Sequence, residues 1–306
     1  MTAPASLDTS NLPDEQLVKS ESFWQTTLRR LIRHPVGRLG LVIVVVLVFI
    51  AIFGPLLSPY DPNAIDFSNR FSTPSWAHPF GTDDFGRDTL SRIFYGARIS
   101  LLVGVIAVGI AGILGTFLGL IAGYTTRRWL DEIIMRAMDI LFAFPAILLA
   151  IAILAALGKG VANAMIAIGL VYTPIFARIA RGAVLSVRNE EYVTAARALG
   201  TRNSVILLRH ILPNSLAPLI VETSLSLAFA ILAEAALSFF GLGTQPPDPS
   251  WGRMLSEGRA YFQQSVWMAL FPGLAIMISV MGFNFLGDGL RDALDPKMKQ
   301  MLEMRG

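Results

Sequence analysis

With 306 residues, 54% of them hydrophobic and only 15% charged, the chain carries far fewer charges than the roughly one-quarter typical of a soluble domain and keeps its apolar residues in long uncharged runs, as membrane proteins do. The formal net charge of +3 comes from basic residues scattered between those runs rather than gathered on one face, so they read as topology signals and not as a nucleic-acid surface. Cysteine is absent, which excludes disulfides, thiolate catalysis and cysteine-held metals.

The first 38 residues are polar; they are expected to form a cytoplasmic segment with no cleavable leader, the first span acting as its own insertion signal. A bilayer core of about 30 Å needs roughly 20 helical residues, and six stretches qualify: residues 39–57, 99–124, 137–157, 161–177, 215–239 and 266–286. Residues 39–98 hold the first span and an external segment that turns amphipathic at Leu90, Ile93, Phe94 and Ala97. Ahead of it, Asp83, Asp84 and Asp88 lack the EF-hand spacing and its closing glutamate, so Asp84 and Asp88 read as turn and helix-start residues. Residues 99–287 form the core and 288–306 a cytoplasmic tail. With both termini inside, 18 of the 25 lysines and arginines fall on the inner side and 7 on the outer, as the positive-inside rule requires.

Within the spans, Gly115, Gly119 and Gly123 recur every fourth residue on one helix face, for close packing inside the chain or against another subunit. Pro145, Pro174, Pro218 and Pro272 interrupt four spans, whose freed carbonyls need partners in a bundle or a watered cavity. Asp139 stands three residues after Arg136, a spacing that permits an interfacial ion pair. Glu222 lies about 13 Å along its helix from Pro213, near mid-membrane, where it lines a pathway or makes a buried bond. Glu234 is about 18 Å further on, near the outer surface, suited to capping or local pairing. Pro246-Pro247-Asp248-Pro249 reads as a stiff extended segment outside. His34, His78 and His210 are too far apart in sequence to suggest a metal site or triad.

The loop 188–213 is the most informative segment. Asn189 is placed to cap a helix, Glu190 and Glu191 suit the positive end of its first turn, and Gly200 fits the left-handed position that ends it. Thr201 is then placed to cap a second helix over 204–212 that Pro213 limits. The small Ala195, Ala196 and Ala198 could seat in a partner's cleft, or the loop could be a plain connector.

This loop resembles the EAA motif of binding-protein-dependent ABC importers: Glu-Ala-Ala, three residues, Gly, nine residues, Ile-x-Leu-Pro. Ala195, Ala196, Gly200, Leu212 and Pro213 fall in register, while Thr194 and His210 replace the motif's Glu and Ile. Gly81 to Arg92 with Gly96 to Ser100, Glu234 to Gly243 with Gln245 to Gly252, and Asn284 to Pro296 are similar to blocks of dipeptide/oligopeptide permeases, the last to their "C" subunit. The resemblance implies an all-α, polytopic membrane helix bundle of six transmembrane helices, the type I ABC-importer permease fold with a cytoplasmic coupling helix, in a bacterial inner membrane. It implies ATPase coupling through Glu190, Glu191, Tyr192, Ala195, Ala196, Gly200 and Pro213, with Glu222 and Asp139 as candidate pathway residues. Partners would be a homologous second permease, two ATP-binding subunits that hold ATP and Mg, an external substrate-binding protein and the lipid bilayer. The cargo implied is a di- or oligopeptide; similar systems import nickel or glutathione. No Gly-x4-Gly-Lys-Ser/Thr motif occurs in this chain, and no nucleophile–base pair suggests an enzyme. The rival reading is a proton-coupled secondary transporter working through Glu222 or Asp139.

Overall fold

The computed structural model describes residues 23–294; of the expected N-terminal segment and tail, residues 1–22 and 295–306 lie outside the described residues. Helix α1 (Phe23–Arg33) turns at His34 into α2 (Pro35–Leu57). Proline suits that first turn, where its missing N–H would have no intrahelical partner, and His34 Nδ1 accepts the Gly37 N–H at 3.2 Å. The α1 region, polar in sequence, is a helix with Thr27 and Leu31 buried.

Helix α3 (Thr89–Tyr124) is 36 residues long and begins at Asp88, whose carboxylate accepts from the Ser91 N–H at 2.8 Å and hydroxyl at 2.7 Å. Asp88 is thus the expected helix start. The amphipathic stretch and the second span form one helix, so the division at residue 98 falls inside it.

The third span departs from expectation. In place of one helix over 137–157, α4 (Arg128–Phe142) and α5 (Ala146–Leu157) meet at 95°. Pro145 has no N–H to continue the ladder and forces Phe144 out of helical geometry, and three residues absorb the turn. Helix α6 (Val161–Val187) runs unbroken through Pro174 and well beyond residue 177. There follow α7 (Glu191–Ala198), α8 (Asn203–Val205), a π-helical turn over Ile206–Ile211, α9 (Leu212–Asn214), α10 (Leu216–Phe239), α11 (Trp251–Ala260) and α12 (Trp267–Leu294). Pro213 therefore does not limit the second loop helix. The preceding π turn, in which the Leu212 N–H reaches Leu207 O, carries the helical path past it. Among the described residues, helices α2, α3, α6, α10 and α12 are long and apolar enough to cross a membrane, and α4 with α5 passes the same test as a pair, which makes six when the bent pair is taken as one span.

The spine of the bundle is a parallel pair, α3 against α6, and the glycine series explains its closeness. A methyl group at Gly115 would stand 2.5 Å from the Thr173 carbonyl oxygen, one at Gly119 closer still to that of Ala177, and one at Gly123 2.8 Å from Val184 Cβ. The glycines therefore serve internal packing, the first of the two roles open to them. Around this spine one apolar cluster joins α3, α5, α6 and α10, and a second joins α2, α3, α10, α11 and α12.

At the end opposite α7, residues 58–88 and α11 form a cap. Arg92, only 1% exposed, lies 3.6 Å from both Asp83 and Glu257 and donates to Pro62 O at 3.0 Å. Arg87 pairs with Asp83 at 2.6 Å and Glu257 at 3.4 Å, while buried Trp251 donates to Ile93 O at 3.1 Å. Burial and the neighbouring Asp83 charge raise the Asp84 carboxyl above its ordinary range. The proline segment bends rather than extends: Pro246-Pro247 is a cis peptide in a turn.

Candidate coupling site

Helix α7 sits at the end of the bundle where α1 and the end of α12 also meet. Its C-terminus follows from one glycine. Gly200 has φ +74°, its N–H donates to Arg197 O at 3.0 Å, and the Thr201 N–H donates to Ala196 O at 3.1 Å. That pair of bonds is the Schellman closure, which needs a left-handed residue at this position. Gly200 does what its sequence position suggested; Thr201 instead closes the first helix, and Arg202 precedes the next. The start shifts by one residue. Glu190, extended at φ −66° and ψ 148°, stands at the N-cap without a side-chain cap bond, and Glu191 opens the first turn. Asn189 belongs to the end of α6 instead, its Nδ2 donating to Leu185 O at 3.4 Å, because α6 runs so much further than its apolar stretch.

One face of α7 anchors it. Val193 is fully buried among Leu120, Val184, Ile206 and Ile211, with Ala196 packed against the same cluster. Tyr192, Ala195, Ala198 and Leu199 stay exposed, Leu199 at 86%. Ala196 therefore faces its own chain, whereas Ala195 belongs to the outward surface with Glu190, Glu191, Tyr192 and Gly200. Pro213 is exposed in the helical run beyond. Sequence reasoning missed Val193, although it is the one large aliphatic side chain in the first two turns and its i,i+3 spacing to Ala196 marks the inward face. It also missed the struts beneath. Arg188 Nη1 donates to Gly123 O at 2.8 Å, Tyr124 donates to Asn203 at 2.9 Å, and Arg181 holds Asp131 by two bonds of 2.6 and 2.7 Å.

The candidate pathway residues lie apart. Asp139 pairs with Arg178 of α6 at 2.7 Å, not with Arg136; the long α6 brings a guanidinium alongside, which also stacks 4.2 Å over Phe142. Glu222, half-buried on α10, accepts from Ser226 at 2.8 Å. Glu234 makes the local pairing expected of it but is 1% exposed, accepting from Ser238 at 2.7 Å and from Ser100 of α3 at 2.9 Å.

The described residues thus form a spanning bundle with an exposed, separately anchored helix between α6 and α10. The family model described as the inner membrane component of binding-protein-dependent transport systems matches residues 115–300, and that for the N-terminal TM domain of oligopeptide transport permease C matches residues 22–74. The chain is 53% identical over 287 residues to the dipeptide transport system permease protein DppC of Alkalihalophilus pseudofirmus, covering 94% of each. It is 46% identical over 277 residues to the glutathione transport system permease protein GsiD of Pectobacterium atrosepticum, covering 90% of this chain and 92% of that one. Its fold resembles that of an inward-facing structure of the MetNI methionine ABC transporter, with a TM-score of 0.54 at 18% identity over 65% of this chain and 94% of the other. The chain belongs to the binding-protein-dependent transport system inner membrane component family, as a multi-pass C-type permease of the peptide ABC importers.

Proposed function

We propose that this chain forms half of the translocation pathway of an ATP-driven importer of di- or oligopeptides and is driven through α7. The single observation that carries the coupling role is the Gly200 closure, which ends α7 abruptly and leaves Tyr192, Ala195, Ala198 and Leu199 outward while Val193 alone is sunk in the bundle. A homologous second permease supplies the other half of the pathway, two ATPase subunits holding ATP and Mg dock on α7, and an external binding protein delivers the cargo. Both termini and α7 then lie in the cytoplasm and the bundle spans the inner membrane. ATP-driven closure of the ATPases displaces α7, and the helices on either side of it, α6 and the π-interrupted run into α10, carry that bias to the inward- or outward-facing state. The peptide cargo is supported by the names of relatives; a glutathione cargo is the second reading, favoured by the GsiD relative.

The test is Gly200→Val. A β-branched residue resists the left-handed conformation at a cost of about 1 kcal/mol or more, while the space around Gly200 is open, so the bundle itself is spared. Normal membrane insertion with lost ATPase co-purification and lost peptide uptake is expected; full uptake sinks the coupling role. Proton-coupled transport without an ATPase is now left to Glu222, since Asp139 is committed to Arg178. Glu222→Gln retaining ATP-dependent uptake in proteoliposomes removes that rival.

A further inference from the structure

Behind α7, between the end of α3, the start of α4 and the end of α6, lies a cavity of about 970 Å³ whose lining includes Arg127, Arg128, Arg181, Arg188 and Arg197 and one carboxylate, Asp131. We infer that this cavity holds the phosphate group of an anionic phospholipid from the cytoplasmic leaflet, a reading that rests on the orientation proposed above. The charge balance is the starting point. Asp131 is fully used by Arg181, Arg128 pairs with Glu132 at 3.1 Å, and Arg188 is held by the Gly123 carbonyl. Neither Arg127 nor Arg197 has a carboxylate partner among the described residues. Positive charges facing one cavity repel one another unless an anion enters it, and α4 compounds the cost by opening on Arg127 and Arg128, where a helix end already favours anions. Guanidinium groups fit phosphate oxygens two at a time, and basic pockets between spans on the cytoplasmic side are built for lipid headgroups.

What favours lipid over another occupant is the amphipathic helix at whose start the cavity opens. Trp129, Ile133 and Ile140 share one face of α4 and are 56%, 58% and 64% exposed, while Asp131, Ile134 and Met138 turn the opposite face inward. The cavity thus opens at the start of a helix whose opposite, outward face is apolar: a phosphate head meets the arginines and an acyl tail the apolar flank of the same helix.

The experiment takes the importer purified in mild detergent and measures, by native mass spectrometry, retained phosphatidylglycerol against phosphatidylcholine, with ATPase co-purification read in the same samples. Wild type is expected to retain phosphatidylglycerol selectively. Arg127→Gln and Arg197→Gln should each weaken that retention about fivefold and the pair about thirtyfold, at about 1 kcal/mol for each arginine. Arg259→Gln, at the capped end of the bundle, should leave it unchanged, and Arg127→Lys should retain most of it. Equal retention of the two lipids, or retention unaffected by the double substitution, overturns the proposal. Displacement of the lipid by inorganic phosphate at millimolar concentration overturns the lipid source, and a double variant that keeps its lipid but sheds the ATPases means that an acidic protein surface fills the cavity. Lipid retention is read on the permease itself, so it stands or falls separately from Gly200→Val, whose readout is ATPase binding.

Discussion

The cap at one end of the bundle and α7 at the other are fastened in opposite ways. Arg92 is almost wholly enclosed and shares Asp83 and Glu257 with Arg87, Asp88 caps α3, and Trp251 ties α11 to α3. Helix α7, by contrast, is pinned by Val193 with part of Ala196 and closed by two backbone bonds at Gly200. The cap is cross-linked by charge that has nowhere else to go. The helix is a small element set on one apolar peg, with the Arg188–Gly123 and Tyr124–Asn203 bonds beneath it. The difference teaches that the two ends of one bundle can be fastened by different chemistry, one by enclosed charge and the other by a single aliphatic side chain and a backbone closure.

The comparison can be broken most forcefully at Arg92. Arg92→Ala empties the enclosed site between Asp83 and Glu257, leaves Pro62 O without its donor and leaves the two carboxylates to Arg87 and, for Glu257, Arg253, and should cost about 3 kcal/mol; thermal unfolding in detergent reads this as a large fall in Tm, and an unchanged Tm would mean that the network does not hold the cap. Next comes Val193→Ala, which removes two buried carbons for about 2 kcal/mol. The loss should be local, seen as faster hydrogen exchange over residues 191–200 with the cap unaffected. Leu199→Asp should alter stability by no more than about 0.5 kcal/mol and yet impair ATPase docking, so normal co-purification removes Leu199 from the interface. The smallest effect is expected at Asp84. Because burial raises its carboxyl, the folded chain binds that proton more tightly than the unfolded one, and stability falls as the pH rises from 3.8 through the folded-state pKa. Asp84→Asn should flatten that slope without lowering Tm at neutral pH.

Much of this was legible beforehand, and what was not has identifiable causes. Apolar length gave the spans, Asp88 and Gly200 announced their own helix ends, and the glycine series announced a close neighbour, since each depends on local chemistry. Pro145 was visible as an interruption, but a 95° bend depends on which helices receive α4 and α5. The partner of Asp139 was misread because Arg136 is near in sequence while Arg178 arrives through the length of α6, and the role of Val193 required the whole cluster from α3, α6 and the π-helical turn. The shift at Asn189 has the same origin: apolar length locates where a helix crosses a membrane, not where it stops afterwards.

The contact of α3 with α6 has a mechanical consequence. Where side chains of any bulk intervene, helices can slide by exchanging rotamers, but here glycines bring the backbone of α3 against the carbonyls of Thr173 and Ala177, so sliding or separation would cost several contacts at once. The pair is therefore a stiff double beam, about 40 Å long on the 27 residues of α6, with α7 hung at one tip and the capped end at the other. A displacement at the α7 tip is not absorbed along such a beam. On the coupling role proposed above it would pivot instead, taking up the give at the joints flanking it: the α4–α5 elbow and the π-helical turn before Pro213.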